Sequence, residues 1–209
     1  MKIGIIAANG KAGKLITEEA INRGLDVTAI VRNENKTVAT QSIIKDIFDL
    51  TSEDLTQFDV VVDAFGEIRE GKLHLHQDSI QHLSDILSNT NTRLIIIGGA
   101  GSLYVDDQLE NQLFDTPDFP EVFKPLAKAQ GKALVDLRKR DDVRWTFISP
   151  AAEFIADGER TGEYILAGEV FTLNDKGESK ISYADYAIAL VDEATEGNHI
   201  QERISVLSK

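Results

Sequence analysis

The chain contains no cysteine, which removes disulfides, thiolate catalysis and cysteine-based zinc sites from consideration. It also lacks any apolar run long enough to cross a bilayer. The longest runs, near Ile3, Val60 and Leu94, cover a few residues each, whereas a membrane helix needs about 20. Met1 leads straight into one of these runs, so no signal peptide is expected and a cytoplasmic protein fits. Basic charge is scarce. The 22 Lys and Arg against 35 Asp and Glu leave a net charge of −13, which repels phosphate backbones at long range and argues against nucleic acid as a partner. Internal repeats, low-complexity tracts and linkers are missing too. A chain of 209 residues can therefore close as one domain that buries about 70% of its unfolded surface.

What is present begins at the N-terminus. Ile3-Gly4-Ile5-Ile6-Ala7 is short, partly β-branched and bounded by turn residues, as a parallel strand buried on both faces should be. Asn9-Gly10-Lys11-Ala12-Gly13 follows at once. Ala12, Leu15, Ile16 and Ala20 then keep the spacing of a helix with one buried face, and Gly24 suits the residue just past its end. Asp26 to Val31 reads as a second strand. This is the first β-α-β unit of a dinucleotide-binding fold, in which glycines admit a pyrophosphate and freed helix amides face its charge. Ala7, Asn9, Gly10, Lys11, Ala12 and Gly13 are accordingly cofactor-binding candidates. In the G-x-x-G-x-x-G form of the loop the first glycine would stand at position 7; Ala7 is a tolerated departure, since alanine can make the turn if its φ stays negative. A plain glycine turn without a ligand is the alternative.

The end of the second strand bears on which dinucleotide. An acid there accepts hydrogen bonds from the ribose of NAD, whereas a cation holds the 2′-phosphate of NADP. The strand ends Val31-Arg32-Asn33, so NADPH is favoured, with Arg32 as the phosphate ligand; Glu34 leaves NADH as the alternative. A short helical piece is expected around Lys36 to Thr40, then a third strand Ser42 to Lys45. At its tip Asp46 is placed to bind the adenine amino group and Ile47 to cover the ring, unless Asp46 simply caps the next turn.

Phe58 to Phe65 reads as the fourth strand. In a doubly wound sheet ordered 3-2-1-4-5-6 it lies beside the first, and their diverging connections open the ligand crevice, so Ala64, Phe65 and Gly66 should face the Ala7–Gly13 turn. Residues 70–90 are expected to form a long helix. His74, His76 and His82 on or near it, and His199, are read as ordinary residues and no metal site is expected. Arg93 to Ile97 is a fifth strand. The glycines after it, Gly98 and Gly99, imply that backbone passes close to nicotinamide or substrate, and Ala100, Gly101 and Ser102 are the candidates nearest the reacting atoms. The aperiodic stretch 103–123 carries Tyr104, Phe114, Phe119 and Phe123, which could cover a flat substrate or pack as a satellite cluster. Lys124 to Asp141 is the next helix and Arg144 to Ile148 a sixth strand, whose end at Ser149, Pro150 and Ala151 could offer an amide to the nicotinamide carboxamide.

Residues 1–150 thus form the dinucleotide-binding core and 151–209 a small substrate-side lobe. In the lobe, Tyr164–Leu166 and Val170–Leu173 could pair as a hairpin. Ser182-Tyr183-Ala184-Asp185 matches a capping box opening a helix with a buried stripe at Tyr183, Ala187, Leu190, Val191 and Ala194, and Arg203 to Leu207 is a closing strand. The fold class is α/β, a Rossmann-type doubly wound parallel sheet.

Along nearly its whole length the chain resembles the atypical short-chain dehydrogenase/reductases, and within them the bacterial NADH-flavin reductase group related to biliverdin reductase B. The resemblance rests on AANGKAG (7–13), VTAIVRN (27–33), IIIGGAGSL (95–103), WTFISPAAEF (145–154), GERTGEY (158–164) and ISYADYAIALVDE (181–193). It implies a bound NAD(P)H and hydride delivery to a small-molecule acceptor, a flavin or a similar flat molecule such as a quinone or tetrapyrrole, with flavin as substrate rather than resident cofactor. Orthodox members of the superfamily carry a Tyr-x-x-x-Lys pair; here Lys124 precedes Lys128 and Lys128 precedes Lys132, so no tyrosine stands in the matching place. Losing that general acid would cost carbonyl chemistry about 10²- to 10⁴-fold, whereas a flavin can take its proton from solvent. A non-catalytic dinucleotide sensor of the NmrA type is the alternative; a nucleotide-sugar epimerase or dehydratase ranks last, because it normally keeps the tyrosine.

Overall fold

Hydrophobic runs flanked by turn residues fix the centre of the molecule. A computed structural model describes residues 1–209. In chain order the elements are β1 (Lys2–Ile6), α1 (Lys11–Asn22), β2 (Asp26–Val31), β3 (Gln41–Ile44), α2 (Ser52–Leu55), β4 (Val60–Asp63), α3 (Leu75–Ile86), β5 (Arg93–Ile97), α4 (Lys124–Leu137), β6 (Arg144–Pro150), β7 (Glu153–Ile155), β8 (Ile165–Ala167), β9 (Lys180–Ser182), α5 (Tyr183–Glu196) and β10 (Glu202–Leu207). Eight strands form one sheet in the order β3-β2-β1-β4-β5-β6-β10-β8. All neighbours are parallel except β8, which runs antiparallel along β10.

Two cores lie on the two faces of this sheet. Ile3, Ile5, Val60, Val62, Ile95 and Ile148 point toward α1 and α5, where Tyr186 and Leu190 are fully enclosed. Ile6, Val61, Leu94, Ile96 and Phe147 point the other way, toward Leu55, Ile80, Leu83, Leu134 and Leu137. The alternation within β4, with valines facing both cores, is what a strand covered on both sides requires. No helix is long and apolar enough to cross a membrane.

Several local expectations give way. Residues 36–40 form bends rather than a helix, because Asn35 holds the segment by accepting from the amide and hydroxyl of Thr37 and donating to Ala39. The helix expected over 70–90 is shorter, a 3-10 turn at Glu70–Lys72 leading into α3, and α4 stops at Leu137. The hairpin does not form. β8 pairs with β10, while Val170 bridges Tyr104; joining the open edge of a large sheet buries more backbone than an isolated pair would. Of residues 151–209, β8, β10 and α5 belong to the main layers, and only the short parallel pair β7–β9 stands outside the eight-stranded sheet. The capping box is half made. Ser182 accepts from the Asp185 amide at 2.9 Å, but Asp185 turns away to the amides of Thr161 and Gly162.

Candidate functional site

The strand order places the carboxyl ends of β1 and β4 side by side with connections that diverge, α1 leaving one face and α3 the other. Such a switch point opens a crevice by topology alone. On the β1 side, the turn Ala7–Gly10 closes with the Gly10 amide donating to the Ala7 carbonyl at 2.9 Å. Ala7 adopts φ +55°, so the turn does need the left-handed region, and alanine carries that strain where a negative φ was expected.

At the start of α1 the amides of Lys11, Ala12 and Gly13 donate to no protein group, and Gly10 at the cap offers no side chain. Its first turn has no acid and two lysines, Lys11 and Lys14. A helix end normally recruits an oxygen to its free amides; here the recess stays open, positive by dipole and by side chain. Gly13 is dictated by close approach: a Cβ there would stand 2.6 Å from the Ala7 carbonyl oxygen and 2.9 Å from Ala8 Cα. The helix therefore begins almost against the strand end, which brings its amides to the crevice. These residues fit a diphosphate.

Asn9 does not face this recess with its amide. Its Nδ2 donates to the Glu34 carbonyl at 2.9 Å and its Oδ1 accepts from the Lys36 amide at 2.7 Å, tying the Ala7–Gly10 turn to the loop after β2. Arg32, which opens that loop, is exposed and forms no hydrogen bond or ion pair within the protein. The Glu34 carboxylate is likewise free and exposed. Asp46 caps the turn Ile47–Asp49, accepting from the Phe48 amide at 3.1 Å. Ile47 is 6% exposed and packs into the core, so covering an adenine ring is not its position; the apolar side chain beside it that reaches solvent is Phe48.

Across the crevice, Ala64 and Phe65 are half-buried and Gly66 exposed. The Phe65 amide donates to Asp63 Oδ1 at 3.0 Å, which fixes the turn, and the Phe65 ring meets His76 edge-on at 5.7 Å. No motif points to Asp63, yet its carboxyl is 3% exposed at the strand end. Burial with no cation beside it pushes its pKa up to about 7. The sequence signal is an acid closing a run of three valines.

Packing dictates Gly98, where a Cβ would lie 2.1 Å from the Phe147 ring; at Gly99 a Cβ would meet the mobile tip of Gln130, Oε1 at 2.1 Å, which can swing aside. Ala100 is half-buried and Gly101 buried. Ser102 is 2% exposed; its hydroxyl and carbonyl accept from Arg203 at 3.1 and 2.9 Å. It anchors a buried arginine that also pairs with Glu169, and no solvent-facing hydroxyl remains for proton transfer. Ser149 and Pro150 close β6, Ala151 follows, and all three are buried, with the Ser149 hydroxyl enclosed and unpartnered. Among the aromatics, Tyr104 stacks on Arg203 and Phe114 lies under Lys128, as a packed cluster would. Phe123 remains 56% exposed beside Val122 at the head of α4. The tyrosine hydroxyls of Tyr164 and Tyr186 donate to Asp192 and to the Ile148 carbonyl. Of the histidines, Nε2 of His76 and of His82 pair with the Glu67 and Leu50 carbonyls, His74 approaches Asp78 at 3.9 Å and His199 pairs with Glu193.

The sequence pattern of the family described as NAD(P)H-binding matches residues 7–196, from the turn after β1 to the end of α5. The chain belongs to the NAD(P)H-binding family. Its fold and motifs are those of an atypical short-chain dehydrogenase/reductase. Among the relatives of this NAD(P)H-binding protein, the uncharacterized YwnB of Bacillus subtilis is 49% identical over 212 residues, covering 100% of this chain and 99% of the relative. A crystal structure from Streptococcus pneumoniae, named only provisionally as an NADH-flavin reductase, is 59% identical, with a TM-score of 0.98 and 100% of both chains covered. Another from Bacteroides thetaiotaomicron, provisionally named an epimerase, is 32% identical with a TM-score of 0.80, over 99% of this chain and 96% of that one.

Proposed function

We propose that the protein is an NAD(P)H-dependent reductase that passes hydride to a flavin or a similar flat acceptor, with NADPH as the preferred donor. The observation that carries this reading is the open N-terminus of α1, where three unpartnered amides and two lysines meet at the switch point of the sheet. The dinucleotide, when bound, supplies the hydride. The residues proposed to hold it are Gly10 to Gly13 at the diphosphate, Arg32 at the ribose 2′-phosphate, and Ala64 to Gly66 along the facing wall. Arg32 suits the phosphate because its guanidinium is exposed and uncommitted, and a planar fork binds such a group through two donors.

On the acceptor side, the loop 98–123 and the β7–β9 pair border the strand ends, and Phe123 with Val122 offers an exposed apolar surface against which a flat ring can lie. The chain's task is then to stack donor and acceptor with reacting atoms about 3 to 3.5 Å apart and to exclude water. No tyrosine stands four residues before Lys128 or Lys132, where Lys124 and Lys128 occur instead, and Lys124 pairs with Glu121 at 2.5 Å. Reduction of an acceptor that draws its proton from solvent suits this arrangement better than carbonyl reduction or sugar epimerisation.

The test is steady-state oxidation of NADPH and NADH with flavin mononucleotide, riboflavin and simple quinones. Turnover with at least one of them, faster with NADPH, is expected. Tight nucleotide binding without turnover on any acceptor would instead assign a regulatory sensor.

A further inference from the structure

Asp63 ends β4 on the side of the sheet covered by α3 and α4, beneath the crevice. It lines a cavity of about 10 Å³ with Phe65, His76, Ser79, Gln130 and Phe147, room for about one water molecule. Each packed element offers little to a charge there. From α3 come Ser79 and His76, whose Nε2 is committed to the Glu67 carbonyl at 2.8 Å and whose burial holds its pKa below the usual histidine value. From α4 comes the neutral amide of Gln130; the strands on either side place Ile6 and Ile96 level with Asp63. The nearby Glu67 carboxylate is turned to Arg69. No cation pairs with Asp63, and its one hydrogen bond within the protein is that from the Phe65 amide.

This carboxyl also sits between the two segments that meet at the switch point. It is in register with Ile6, the residue before the Ala7–Gly10 turn, and the Ala64 amide donates to the Ile6 carbonyl at 3.2 Å. The bond to Phe65 sets the turn Ala64–Gly66. We propose that Asp63 is a positioning residue for the dinucleotide site, holding the Ala64–Gly66 wall, and that nucleotide binding takes up a proton at its carboxyl. The physical cause is like-charge repulsion felt by a carboxyl shielded from water: an anionic diphosphate at the α1 amides favours the neutral acid over the carboxylate. The bound state therefore holds its proton to higher pH than the free one. This inference rests on the dinucleotide reading.

The experiment measures NADH affinity by fluorescence between pH 6 and 9, and binding heat at pH 7.5 in two buffers of different ionisation enthalpy. NADH is used because the 2′-phosphate of NADPH titrates near pH 6 itself. For the native protein, Kd should rise by up to about tenfold per pH unit above pH 7, and the two heats should differ by an amount that reports proton uptake. In Asp63→Asn the slope should fall below about twofold per unit and the heats should coincide, while His76→Gln keeps the native slope. Equal pH profiles for the native protein and Asp63→Asn, or binding of NADH by the native protein with no proton uptake, overturns the proposal alone. Absence of binding by either nucleotide at every pH overturns the dinucleotide reading and this inference with it. Coincident heats in the two buffers for the native protein overturn the proposal even where the variant does not fold.

Discussion

Asn9 and Glu34 are joined on the β1–β2 side of the crevice: the Asn9 amide nitrogen donates to the Glu34 carbonyl at 2.9 Å, and the same side chain accepts from the Lys36 amide. One residue of the phosphate turn thereby fixes the loop that Arg32 opens. Asn9→Ala frees that loop and leaves the α1 amides in place, so it should narrow the preference for NADPH over NADH several-fold while NADH affinity changes little. Ratios of dissociation constants from fluorescence titration check this; an unchanged ratio would detach Asn9 from cofactor choice.

Arg32→Ala removes the exposed guanidinium without breaking a hydrogen bond or ion pair within the protein. Hydrogen bonds to a charged group are worth about 1.5–3 kcal/mol each. NADPH binding should weaken roughly 10- to 100-fold, with NADH within about twofold. Equal losses for both nucleotides would remove the phosphate role from Arg32.

Ala7 pays for its turn with a left-handed φ of +55°. Ala7→Gly relieves that strain and should raise stability by up to about 1 kcal/mol, whereas Ala7→Val should cost more than about 1 kcal/mol. Urea denaturation at constant m-value measures both.

Ser102→Ala leaves the buried Arg203 with one partner fewer. A loss of about 1–3 kcal/mol in unfolding free energy is expected, with NADPH oxidation per folded molecule unchanged. A collapse of turnover in folded protein would return Ser102 to the reaction.

The frame of the molecule was legible because its signals are local. Valine and isoleucine runs, the glycine turn and the Gly24 stop lie within a few residues of what they specify, and the strand order 3-2-1-4-5-6 follows from handed β-α-β connections. What escaped depends on contacts distant in sequence. Gly98 reads as room for a ligand, yet it makes room for the Phe147 ring. Ser102 reads as a candidate hydroxyl until Arg203, 101 residues on, claims it. The β8 strand finds β10 rather than its neighbour in sequence. Asp46 illustrates an even choice: the same carboxylate satisfies a cap or an adenine, and the structure shows the cap.

Asp63 adds a pH dependence whose sign is fixed by burial. Its folded pKa of about 7 lies above the ordinary value of 3.8, so the folded state holds a proton that the unfolded chain releases from about pH 4 upward. Stability from this group is complete below that point, declines as pH rises, and is lost once pH passes about 7. Each pKa unit is worth 1.36 kcal/mol, so the native protein should lose roughly 3 kcal/mol relative to Asp63→Asn between pH 5 and pH 8.5. Other carboxylates contribute equally to both proteins and cancel in the difference. Urea unfolding of the pair at the two pH values reads it directly: a gap that stays constant would mean Asp63 is charged at neutral pH and that a counter-charge reaches it in solution.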